Sequence, residues 1–113
     1  MLADAKADVL RMVEAGWKPA MPGEVRVPGS GGIAALKVAV HGMLGGGYLS
    51  EYDAHLGAKL ATVICGGDVP AGTLRTEQDF LDLELEAFLS LCGEEKTMAR
   101  IMHMLETGKP LRN

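Results

Sequence analysis

The sequence predicts an all-α fold of about five short helices joined by glycine- and proline-rich turns. Of the 113 residues 48% are hydrophobic, yet only 4% are aromatic, and seven are Met. Fifteen glycines and five prolines interrupt the apolar blocks. Few aromatic and β-branched runs disfavour a β-sandwich or barrel, and a chain of this length can bury one core. We therefore expect one helical domain over residues 1–113.

The first predicted helix covers residues 2–15 and ends at Gly16. Leu2, Val9 and Met12 recur on one face of it at helical spacing. Two prolines in residues 17–23 prevent the helix from continuing, and the alternation in residues 24–27 predicts a short extended piece at most.

The second predicted helix covers residues 33–44, between the run Gly29-Ser30-Gly31-Gly32 and a triple glycine at 45–47. The third begins at Ser50, which forms a Ser-x-x-Asp pattern with Asp53. This pattern resembles a capping box with Asp in the place of Glu. An apolar stripe then runs to Ile64 and stops at two glycines.

The fourth predicted helix begins after Thr76, whose hydroxyl can cap the free amides, and it ends at Gly93. Its apolar residues cover most of the helix circumference, so we expect this helix to be central and largely buried. The fifth carries Met98, Ile101, Met102 and Leu105 on one face and closes at Thr107 and Gly108.

Charge and cysteine content limit the partners and the compartment. The formal charge is −4 and the pI is near 5.3, so no surface is built to neutralise nucleic-acid phosphates. The first residues lack the pattern of a secretory signal, and no apolar run is long enough to span a membrane. Cys65 and Cys92 have no CxxC spacing, so we expect buried thiols in a reducing cytoplasm rather than a disulfide.

A glycine-rich run from Gly29 to Ala34 has the G-x-G-x-x-A form of a dinucleotide fingerprint and opens a predicted helix. A strand should lead directly into such a loop, but Pro28 interrupts the short alternation before it. The ribose-binding acid should end a second strand, whereas Glu51 and Asp53 open a helix. We therefore interpret the run as a flexible start of the helix rather than as a cofactor site.

Other candidate groups have simpler explanations. The histidines do not share a helical i,i+4 spacing or adjoin other ligands, which disfavours a metal site. The serines lack a nucleophile-elbow setting, and the acidic residues of the fourth helix suit a solvated face. Methionines of the fifth helix could form a binding groove, but a core stripe is the favoured interpretation. These candidates are His41, His55 and His103; Ser30, Ser50 and Ser90; Asp79, Asp82, Glu84 and Glu86; Met98, Met102 and Met104.

Two stretches near the C-terminus, LELEAFLSLCGEEKT at 83–97 and MLETGKP at 104–110, resemble the final helices of the enoyl-CoA hydratase (crotonase) superfamily. The phrases GGYLSEYD at 46–53, CGGDVPAG at 65–72 and TGKPLRN at 107–113 are similar to bacterial bifunctional 3-hydroxyacyl-CoA dehydrogenase/enoyl-CoA hydratases. The resemblance implies the C-terminal part of a longer cytoplasmic β-oxidation enzyme.

In that family, the C-terminal helices cap the acyl-CoA pocket and mediate subunit contacts. The resemblance thus implies a capping and assembly domain without catalytic residues, which binds no cofactor of its own and belongs to a parent enzyme that uses NAD and acyl-CoA. Its partners would be the crotonase core of the same chain and further copies. Cys92 and Thr107 stand where ordinary hydratases have a Phe and a Lys near CoA, which leaves Lys109 as the candidate CoA contact. The alternative is a free-standing helical dimerisation or interaction module.

Overall fold

The computed structural model describes residues 1–113 and contains five helices and one two-stranded sheet, which confirms the expected all-α class. The elements, in chain order, are α1 (Leu2–Glu14), β1 (Glu24–Arg26), α2 (Gly29–Gly45), α3 (Glu51–Ile64), β2 (Leu74–Thr76), α4 (Glu77–Cys92) and α5 (Glu95–Thr107). None of the helices has the length and apolar content that a membrane span requires.

Two predicted helix starts are confirmed in detail. The Ser50 hydroxyl accepts a hydrogen bond from the Asp53 amide at 3.1 Å, and the Asp53 carboxylate accepts one from the Ser50 amide at 3.0 Å. Thr76 and Asp79 repeat the arrangement at the start of α4, at 3.2 and 2.7 Å. Each box satisfies amides that the first turn of a helix leaves without partners, so both helices start where the sequence places them.

The sheet is a minor element that joins distant parts of the chain. Strands β1 and β2 pair antiparallel, with Val25 opposite Arg75. The extended piece before Pro28 was expected, whereas β2 was not. A three-residue strand has too little alternation to be recognised, because its formation depends on a partner about fifty residues away.

The small core lies where the start of α2 meets the end of α3. Its apolar members are Val27, Ile33, Ala61 and Cys65, and Tyr52 is buried separately near the start of α3. Both cysteines are free thiols; Cys65 is fully buried, as expected, whereas Cys92 is partly exposed and not buried as the sequence suggested.

Close backbone packing explains the glycine run. Gly29 has φ +59°, and a Cβ there would stand 1.9 Å from the Val69 carbonyl oxygen. A Cβ on Gly32 would lie 2.9 Å from the Cys65 sulfur. The run is therefore not the loose start of a helix that the sequence suggested. Its glycines allow α2 to begin in direct contact with the 65–70 loop.

The expectation that α4 is central and largely buried is wrong. No residue of α4 is buried, and Leu81, Leu85 and Leu89 are each about half exposed or more. One side of α4 packs on α3 and another on α5, but nothing in the chain covers its outer side. Periodicity shows that apolar residues surround the helix but does not supply the elements to cover them.

The molecule is extended for its size. Its radius of gyration is 19.3 Å, whereas a compact chain of this length has about 13 Å. Its accessible surface is 8464 Å², against about 5,900 Å² for a folded monomer of this mass. Only eight residues are buried, so much apolar surface that the sequence supplies for a core remains in contact with solvent.

Candidate functional site

A polar cluster around Tyr52 connects α3 to α5. The Tyr52 hydroxyl donates a hydrogen bond to Glu94 at 3.0 Å and also contacts the Thr97 hydroxyl. His55 lies 2.9 Å from the second oxygen of Glu94, and its ring stacks on Tyr52 with centroids 5.5 Å apart. The contacts fix the turn that precedes α5 against the first two turns of α3.

Arg100 is the most connected side chain of this Tyr52 cluster. Its guanidinium donates to the Asp53 carboxylate at 2.8 Å and to the Asn113 side chain at 2.7 Å. The same group lies 5.1 Å from the centroid of the Tyr52 ring, within the range of a cation–π contact. A single side chain thus holds α3, α5 and the last residue of the chain together.

The electrostatics of the cluster favour ionised carboxylates. The Ser50 amide, and after it the Arg100 guanidinium, lower the pKa of Asp53 to about 2. The hydrogen bond from His55 lowers the pKa of Glu94. Hydrogen bonds that favour the charged form account for both shifts, and neither group is held protonated as a general acid would be.

These shifts predict a loss of stability in acid. A carboxyl whose pKa is lower in the folded than in the unfolded state stabilises the fold above its unfolded value. For Asp53 that contribution is complete above about pH 5 and is lost as the pH falls from about 4 towards 2. Urea unfolding at a series of pH values should show the free energy of unfolding decreasing through this range.

The matched control is Asp53→Asn, which cannot titrate. We expect this variant to be less stable than the parent at pH 7 and to lose less stability between pH 5 and pH 3. An unchanged pH dependence in Asp53→Asn would show that Asp53 does not carry the effect.

An open apolar groove lies between α3 and α4 and is the largest described concavity, about 540 Å³. The groove offers no catalytic group, because its only charged lining residues are Asp53, Lys59 and Glu84 and the rest are mainly aliphatic. Its apolar lining is formed by Leu49, Leu56, Leu60, Val63, Ala87, Phe88 and Leu91. Such a surface suits burial against another apolar surface rather than bond chemistry.

Two further apolar faces have no cover in this chain. The outer face of α4 presents Leu81, Leu85 and Leu89, and the outer face of α5 presents Met98, Met102 and Leu105. All six side chains are more than 40% exposed. The methionine stripe that the sequence assigned to a core is therefore a surface feature here, and that interpretation is wrong within this chain. Met104 is also exposed.

The glycine-rich run lacks the setting of a dinucleotide site. β1 ends at Arg26 and belongs to an antiparallel pair, and no parallel strand leads into α2. The Gly29 amide donates to the Cys65 carbonyl, and the Ser30 hydroxyl donates to the Asp68 carboxylate at 2.6 Å. Protein groups therefore occupy the Gly29 and Ser30 amides and the Ser30 hydroxyl, and a carboxylate stands beside them.

The remaining candidates are dispersed over the molecule. No group of three or more His, Cys, Asp or Glu side chains could hold a metal ion. Ser50 caps α3, and the Ser90 hydroxyl accepts from Lys59 and donates to the Ala87 carbonyl. Asp79 caps α4 and Asp82 accepts from Gln78, while Glu84 and Glu86 are exposed.

Lys109, the candidate CoA contact, lies just after α5 and is exposed. Its amide donates to the Thr107 hydroxyl at 3.2 Å. Lys109 lines none of the four main concavities. CoA contact by this residue stays a prediction.

A Bacillus subtilis protein described as a probable 3-hydroxyacyl-CoA dehydrogenase is 49% identical to this chain over all 113 residues. The chain spans 14% of the length of that relative. No protein-family model matches the chain, and no solved structure gives a significant match.

The chain is therefore similar to part of a dehydrogenase-type protein. The description of the relative names a dehydrogenase and no hydratase, so the hydratase part of the resemblance stays a prediction. The match extends over every helix and strand of the chain.

Sequence reasoning missed both the Tyr52 cluster and the groove. The sequence did contain two signals for the Tyr52 cluster. Tyr52 is one of only five aromatic residues, and Thr97 and Arg100 lie on the same face of α5. The pairing across more than forty residues had no local signal. The groove could not be recognised from the sequence, because the apolar stripe of its α3 wall has the same spacing as that of a buried helix.

Proposed function

We propose that this chain is a non-catalytic capping and assembly domain of a fatty acid β-oxidation enzyme with 3-hydroxyacyl-CoA dehydrogenase and enoyl-CoA hydratase activities. The observation that carries the proposal is the uncovered surface: the chain has about 2,500 Å² more accessible area than a folded monomer of this mass exposes, and large apolar side chains of α4 and α5 are among the exposed ones. The 49% identity to part of a probable dehydrogenase supplies the class of parent enzyme.

The outer faces of α4 and α5 are the surfaces that this function assigns to the catalytic part. They are aliphatic and Met-rich, and the Tyr52 cluster fixes α5 relative to α3. Burial of half-exposed Leu and Met side chains supplies about 25 cal/mol per Å² of apolar area. A rigid helical cap can therefore form one wall of a neighbouring acyl-CoA pocket and exclude water from it, without contributing a reacting group.

A chimera tests this function. The 113 residues replace the matching stretch of the Bacillus subtilis relative, and NADH formation and enoyl-CoA hydration are measured. We expect the chimera to be active and the isolated chain to show no turnover. In the chimera, Leu85→Asp combined with Leu89→Asp should lower activity at least tenfold, because two charges would enter the docking face.

The matched control is Gln78→Asp, which adds one negative charge at an exposed polar position of the same helix. This variant should keep the activity of the chimera. Turnover by the isolated chain would overturn the proposal, and so would full activity and normal assembly of the Leu85→Asp, Leu89→Asp chimera.

A further inference from the structure

The apolar groove between α3 and α4 is open, and its side chains are at least partly exposed to solvent. Leu60, on its α3 wall, is 57% exposed, and Phe88, on its α4 wall, is 53% exposed. Along α3 the lining residues extend from Asp53 to Val63, about 15 Å or nearly three turns of helix, and Leu49 lengthens the wall beyond the start of α3. The occupant should therefore be a helix of about three to four turns with an apolar face.

Helix α1 has these properties and packs on little else. It has 13 residues, or about 20 Å, and none of them is buried. Leu2, Val9 and Val13 lie within one narrow sector of the helix and are all more than half exposed. Its other side carries Asp4, Asp8, Arg11 and Glu14. An amphipathic helix without a partner is the form in which helices dock into apolar grooves.

Charge gives a second match between these two surfaces. Lys6 falls within the apolar sector of α1, between the positions of Val13 and Leu10 on the helical wheel. Glu84 lines the apolar groove. Neither side chain forms an ion pair in this structure. An α1 helix seated in the groove can bring this cation and this anion together at its edge.

The area argues for a second copy as the source of that helix. α1 lines no part of the groove of its own chain. Reciprocal exchange of α1 between two copies fills both grooves at once. The excess accessible area, about 2,500 Å² per chain, is sufficient for the roughly 1,200–2,000 Å² in total that a specific interface of standard size buries.

We infer that two copies of this chain dimerise by exchanging α1, each α1 lying in the α3–α4 groove of the other copy with Lys6 against Glu84. The inference goes beyond the proposed function, because it concerns self-association through α1 and the groove rather than docking through the outer faces of α4 and α5. Sedimentation and enzyme activity report on the two separately.

The test is sedimentation equilibrium of the full 113-residue chain between 1 and about 100 μM. We expect a dimer that dissociates on dilution. Lys6→Glu and Glu84→Lys should each weaken association about tenfold, and the double variant should return to within about threefold of the parent. Leu60→Asp should weaken association at least as much as either charge reversal.

Controls match each change. Glu14→Lys lies on the polar side of α1, and Asp82→Lys lies on α4 beside the groove. Each reverses a charge without changing a residue of the proposed contact. Val38→Asp places a charge on an exposed apolar position of α2, away from the groove. All three should associate like the parent.

A peptide experiment gives an independent measurement. Trp17 is the only tryptophan, so a chain lacking residues 1–17 has none and a peptide of residues 1–17 carries the probe. The truncated chain should be monomeric and should shift the fluorescence of the peptide to shorter wavelength. A full chain that is monomeric at all concentrations, a dimer that persists without α1, or single and double charge variants that behave alike would each overturn the inference.

Discussion

Replacing Gly29 by alanine should lower the free energy of unfolding by about 2–5 kcal/mol, the largest effect expected of a single substitution here. The left-handed backbone at this position, φ +59°, costs a residue with a Cβ about 1–2 kcal/mol. The new Cβ would also stand 1.9 Å from the Val69 carbonyl oxygen, so the backbone must move, which adds about 1–3 kcal/mol. The free energy of unfolding of a small domain is about 5–15 kcal/mol in total. Urea unfolding followed by circular dichroism measures how much of it the substitution removes.

Gly31 provides the control for this prediction. It lies two residues further along α2, and a Cβ there would meet no atom within 4 Å. Gly31→Ala should leave stability unchanged or raise it by up to about 1 kcal/mol, because alanine favours helix. Equal unfolding midpoints for Gly29→Ala and the parent would show that the 65–70 loop does not press on the start of α2.

Replacing Arg100 by alanine should cost about 2–3 kcal/mol, the second largest effect. The substitution removes hydrogen bonds to Asp53 and Asn113 and the cation–π contact with Tyr52, and it leaves a partly buried carboxylate with fewer partners. The pKa of Asp53 should rise, since the guanidinium helps to lower it. Urea unfolding gives the total loss.

Hydrogen exchange locates the effect of Arg100→Ala. Protection should decrease first in α5, because the guanidinium holds that helix to α3. Arg112→Ala is the matched control: Arg112 is exposed and forms no ion pair, so its loss should change stability by less than about 0.5 kcal/mol. Uniform loss of protection in all helices would contradict a local role for Arg100.

Much of the fold could be predicted because its signals are local. Capping residues such as Ser50 and Thr76 satisfy amides within three residues of themselves, so the starts of α3 and α4 follow from adjacent sequence. The short strand β2 and the Arg100–Asp53 pair join residues far apart in the chain, and no local pattern specifies which partners will meet.

The candidate site was less predictable for a different reason. Apolar periodicity identifies the face of a helix that avoids water but does not identify what covers that face. Leu85 in α4 and Met102 in α5 fit a core pattern equally well when the covering surface belongs to another molecule or another part of a longer chain. The pattern was read correctly, whereas the core assignment was wrong.

The sequence by itself determined the helical class, the positions of the helices apart from the start of α2, and the caps at Ser50 and Thr76, because these depend on periodicity and on hydrogen bonds between near neighbours. Only the tertiary structure decided that Gly29 serves close packing, that the Tyr52 cluster joins α3 to α5, and that the α3–α4 groove and the outer face of α4 stay open. Those features depend on contacts between distant segments, and an isolated sequence carries the apolar surface but not the geometry that leaves it exposed.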